Sequence, residues 1–74
     1  MTKKQAKIIL TLANCDMNVK RTAGILYMHP SSVTYNLDKI QKQMGWNPRK
    51  FYDLCYLVGV ATRMHGNKLG LEVL

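Results

Sequence analysis

The dipeptide His29-Pro30 interrupts a stretch, "TAGILYMHPSSVTYNLDKI" from Thr22 to Ile40, that otherwise reads as helix. Proline lacks an amide hydrogen and holds φ near the helical value, so a helix tolerates it best at the first position. It also drives the preceding residue out of helical geometry. One helix must therefore stop short of His29, and another must start at Pro30 with His29 as its N-cap. The same grammar returns at Asn47-Pro48 and predicts the start of a further helix.

Apolar spacing between these breaks predicts an all-α fold: a small four-helix domain, with helices over about 2–13, 18–27, 30–44 and 48–65. Thr2 and Gln5 form a capping box for the first helix, and Ala6, Ile9, Leu10 and Ala13 mark its buried side. Asn18 caps the second, whose stripe is Val19, Ala23 and Leu26. In the third, Val33, Leu37, Ile40 and Met44 form one continuous stripe, with Ser31, Tyr35, Asp38 and Lys42 opposite. Gly45 suits a left-handed C-cap, with Trp46 folding back onto Ile40. Nothing in the sequence resembles a linker or a repeat, so residues 1–74 are expected to form a single domain.

The fourth segment, "FYDLCYLVGVATRM", carries one stripe at Phe51, Leu54, Cys55 and Val58 and another at Tyr52, Tyr56 and Val60. A helix apolar nearly all round asks to be buried nearly all round. A chain of 74 residues has little body with which to do it, since it buries only about 60% of its unfolded surface. Homodimerisation through Phe51, Tyr52, Leu54, Tyr56, Val58 and Gly59 is the expected outcome, with Gly59 allowing close approach of a second backbone. Gly66-Asn67 ends the helix. The tail "KLGLEVL" alternates as a strand does, and either docks or frays.

Eleven Lys and Arg against four Asp and Glu give a formal charge of +7, which points to a polyanionic partner. Lys20 and Arg21 sit in the first turn of the second helix, where cations oppose the helix dipole, so a phosphate partner explains them better than stability does. Lys3, Lys4 and Lys7 read as a solvated face. The acidic residues form no carboxylate pair, and no glycine-rich phosphate loop or nucleophile–base set is present, so neither catalysis nor a cofactor is expected. His29, His65, Cys15 and Cys55 match no zinc spacing. No segment has the length of a membrane span or the form of a signal peptide, and two cysteines make no disulfide framework. A soluble, reduced, cytoplasmic protein is the reading.

A small Ala23, a tight elbow and an apolar stripe from Val33 make a helix-turn-helix over 18–45, its second helix presented to a DNA major groove. Thr22-Ala23, Leu26, His29, Ser32, Val33, Tyr35 and Leu37 resemble the C-terminal helix-turn-helix of the PucR/CdaR type regulators. The segment "MGWNPRKFYDLCYLVGVA" resembles the same family's next helix, and a Fis-like helix-turn-helix is similar more distantly. The resemblance runs from about Leu10 to Met64 and implies sequence-specific binding of double-stranded DNA by a transcriptional regulator. Carried over by position, Ser31, Thr34 and Tyr35 face base edges. Ser32, Asn36, Lys39 and Lys42 join Lys20 and Arg21 beside phosphates. Asn36 departs from the family, which carries arginine there, so one expected contact is missing. The family's domain ends a longer protein with sensory regions upstream. Here the chain begins at Met1, which leaves either a regulator without an effector-sensing part or a fragment of one.

Asp38 lies on the groove-facing side and would repel phosphates, so it either accepts from a cytosine amino group or, as the favoured expectation, pairs with Lys42 at i+4. The rival function is a helical adaptor that binds another regulator without touching DNA. One positive surface formed by Lys20, Arg21, Lys39 and Lys42 around Tyr35 favours DNA. Scattered charge beside a large apolar patch favours the adaptor.

Overall fold

The computed structural model describes residues 1–65, which form α1 (Lys3–Asn14), α2 (Val19–Leu26), α3 (Pro30–Met44) and α4 (Phe51–His65). No strand occurs among the described residues. The expected stop at Gly66-Asn67 and the tail lie outside them.

α1 is the hub and packs against the other three helices, while α2 pairs with α3 across the elbow. It buries Gln5, Ala6, Ile8, Ile9, Leu10, Thr11 and Leu12 in one unbroken neighbourhood. The helix enclosed nearly all round is therefore α1, not the more apolar α4. Its cations cause no conflict, because Lys3, Lys4 and Lys7 stay exposed at its N-terminal end. There Thr2 Oγ1 accepts the Gln5 amide at 3.1 Å and Gln5 Oε1 accepts the Thr2 amide at 2.9 Å. Gln5 Nε2 also donates to Gln43 Oε1 at 3.1 Å, tying the start of α1 to the last turns of α3.

α2 is capped by Asn18, whose Oδ1 accepts the Arg21 amide at 2.9 Å. It closes at Tyr27, which adopts the left-handed conformation at φ 54. Met28 N–H bonds to the Ala23 carbonyl at 2.9 Å and Tyr27 N–H to Gly24 at 3.3 Å, the paired closure of a Schellman turn. Only Tyr27, Met28 and His29 separate α2 from α3. His29 Nδ1 accepts the Ser31 amide at 3.2 Å, and Pro30 occupies the first helical position, where its missing N–H has no partner to lose. Ala23 is buried where the two helices meet, over Val33, Leu37 and Ile40 in the common core. Gly45 ends α3 at φ 75.

α4 begins three residues later than the proline predicts. Asn47 caps a turn and not the helix: its Oδ1 accepts the Arg49 amide at 3.0 Å and its carbonyl accepts the Lys50 amide at 3.0 Å. Asp53 accepts the Asn47 N–H at 3.0 Å, and Pro48 is buried beneath the turn. From Phe51 onward α4 turns Leu54, Leu57 and Ala61 into the core, with α1 as its main neighbour. Trp46, expected against Ile40, stacks on Tyr56 with ring centroids 4.2 Å apart.

Candidate nucleic-acid interface

With Val33, Leu37 and Ile40 inward, helical geometry turns Ser31, Tyr35, Asp38 and Lys42 outward, and all four are exposed. Tyr35, 64% exposed, stands at the middle of this face. Lys39 Nζ lies 5.9 Å from its ring centroid, within the range of a cation–π contact. Ser31 is already engaged, its Oγ 2.8 Å from His29 Nδ1.

The outer face has two different flanks. Toward α1, a cleft is lined by Thr2, Lys4 and Gln5 on one side and Ser31, Ser32, Tyr35, Asn36 and Lys39 on the other. Lys4 and Lys39 come from different helices to line it. Asn36 is half-buried there and donates from Nδ2 to the Ser32 carbonyl at 2.8 Å, so its amide leans on α3's own backbone. Toward α4 the flank belongs to Arg49. Its Nη1 lies 2.9 Å from Asp38 Oδ1, and its Nη2 donates to the Thr34 carbonyl at 3.4 Å. Asp38 thus pairs with Arg49 and not with Lys42, because the turn after Gly45 brings the next segment back alongside α3.

Lys20 and Arg21 are exposed on the first turn of α2, and their side chains make no hydrogen bond or ion pair with the described residues. They do not line the cleft beside Tyr35. Two cations of the surface escaped the sequence reading. Lys4 looked like part of a solvated face, and only the Gln5–Gln43 contact reveals that α1 starts beside α3. Arg49 carried a usable signal: an acid at position 38 on an otherwise basic face calls for a cation from another element.

A second surface lies on α4. Phe51 is 61% and Tyr52 83% exposed, in an edge-to-face pair with centroids 5.3 Å apart. Tyr56 is exposed beneath Trp46, and Val58 and Gly59 are half-buried. Leu54 is only 3% exposed and packs in the chain's own core, which removes it from any surface for a second copy. Its inward turn follows from Leu57, three residues on, which neither sequence stripe contained. Both cysteines are free, Cys15 buried and Cys55 exposed. Among the described residues no helix is long and apolar enough to cross a membrane.

Among protein families, the model of the PucR C-terminal helix-turn-helix domain matches residues 6–63. No curated protein and no solved structure matches the chain.

Proposed function

The chain belongs to the PucR C-terminal helix-turn-helix domain family, and from that premise we propose that it is a transcriptional regulator that binds double-stranded DNA by laying α3 in the major groove. The observation that carries this is the exposed Tyr35, with Lys39 over its ring, on the outward face of a helix whose Val33, Leu37 and Ile40 are fully buried. Tyr35 and Thr34 read base edges, with Ser31 at the start of α3. The cleft toward α1 takes a backbone phosphate between Lys39 and Lys4, with Ser32 and Asn36 at its wall. Lys42 serves the same strand-neutralising role further along α3, and Lys20 and Arg21 meet phosphates away from this cleft. Hydroxyl groups both donate and accept, so each discriminates weakly between bases. Reading two half-sites as a homodimer through the α4 aromatics compensates for that. A cytoplasm in which DNA and reduced thiols coexist suits this function.

Selection of bound duplexes from random DNA tests the proposal. Tyr35→Ala and Thr34→Ala should erase the preference for the selected site while sparing binding to unrelated DNA. Lys39→Ala should weaken binding to every sequence and lower the slope of log affinity against log salt by about one unit. Failure of the native chain to bind duplex DNA at low salt would end the DNA reading and leave the adaptor, whereas equal loss on all sequences from every variant would remove the base-reading claim alone.

A further inference from the structure

We propose that Arg49, outside the helix-turn-helix itself, reads the major-groove edge of a guanine and that Asp38 holds it in place to do so. The inference rests on the DNA-binding function above. Asp38 stands 59% exposed on the outward face of α3, where a bare carboxylate would oppose every nearby phosphate. Arg49 answers that charge from the turn between α3 and α4. Its guanidinium is anchored at two atoms, Nη1 at 2.9 Å from Asp38 Oδ1 and Nη2 at 3.4 Å from the Thr34 carbonyl. Two anchors fix the plane of a planar fork as well as its position.

A guanidinium has five N–H donors, and here two are used within the chain. The other donors meet no acceptor among the described residues, and the side chain remains 37% exposed beside Thr34. An exposed ion pair adds little to stability, so holding the fold together does not account for the arrangement. Restricting the rotamers of Arg49 does have a use, because an ordered side chain loses less entropy on binding. The backbone is restrained too, by the Arg49 amide on Asn47 Oδ1 at 3.0 Å and by buried Pro48. Paired acceptors presented side by side in the major groove, guanine O6 and N7, are the chemistry a free guanidinium edge fits.

The test uses the full chain and its selected duplex. Each G·C pair is exchanged in turn, and the guanine whose loss depends on Arg49 is also replaced by 7-deazaguanine, which lacks the N7 acceptor. Native protein should lose roughly tenfold or more in affinity on exchange of that pair. Arg49→Ala removes every donor at this position, so it should become indifferent to both the exchange and the 7-deaza substitution. Asp38→Asn should blunt discrimination at the same pair and at no other. Circular dichroism establishes that each variant is folded. If Arg49→Ala weakens binding to all duplexes alike and keeps every base preference of the native chain, the residue is a phosphate contact and the inference is overturned. If the native chain binds no duplex at all, the DNA function itself has failed, which is a separate and recognisable result.

Discussion

Tyr27 is held at φ 54 with 96% of its surface exposed, so a non-glycine residue pays for a left-handed backbone without burying its ring. The Schellman closure of α2 requires that conformation, and glycine adopts it without a Cβ clash. Tyr27→Gly should therefore raise stability by about 0.5–1 kcal/mol, read as a shift in the urea midpoint at unchanged slope. A loss of stability would mean that the ring supports the elbow through contacts that outweigh the strain. Residue-scale features of the opposite kind were the most legible in the sequence. Thr2, Asn18 and His29 each cap the helix expected of them, because a cap is decided within three residues of itself. Asp38 was only half legible: its position on the face follows from periodicity, but its partner, 11 residues further along the chain, depends on how the turn after Gly45 returns.

Among the helices, α3 runs over Pro30–Met44 as proline and glycine mark it, whereas α4 departs from its reading in both start and register. The start moved because Asn47-Pro48 serves equally to cap a helix or to make a turn, and the Asp53 carboxylate stabilises the turn. The register moved because a helix with apolar residues on every side carries almost no phase information. Leu54, Leu57 and Ala61 face the core beside α1, and Phe51, Tyr52 and Tyr56 are left exposed. Leu57, fully buried, should thus be among the costliest positions in the chain: Leu57→Ala is expected to lose about 2–5 kcal/mol. That is a large share of the total for a domain this size, so equilibrium urea unfolding will show a much lower midpoint or no folded baseline. A loss below about 1 kcal/mol would place the true core face of α4 elsewhere.

At the scale of the whole molecule, the described residues of one copy measure 27 × 26 × 20 Å, shorter than the roughly 34 Å that separates successive major grooves on one side of duplex DNA. A single chain can therefore present α3 to one half-site only, and reading two requires a second copy set at a defined distance. The α4 face is the apolar surface free to set it, with Phe51 and Tyr52 exposed at one end and Tyr56 with half-buried Gly59 further along. Around Gly59 nothing lies within 4 Å of where a Cβ would stand, so alanine fits the isolated chain and should stabilise it by about 1 kcal/mol through helix propensity. In a dimer that brings a second backbone against this glycine, the same methyl group would stand in the way. Gly59→Ala should accordingly raise thermal stability of the monomer while weakening association, two effects that a purely structural role would not separate. Tyr52→Asp, at an exposed position, should leave the fold intact and weaken the dimer by placing a charged carboxylate in its apolar contact. Sedimentation of the native chain at tens of micromolar, with and without a duplex carrying two half-sites, provides the readout. Native protein that remains a single copy on such a duplex, with both variants binding it as the native chain does, would remove α4 as the symmetric contact. The exposed aromatics would then belong to an interface with a different protein.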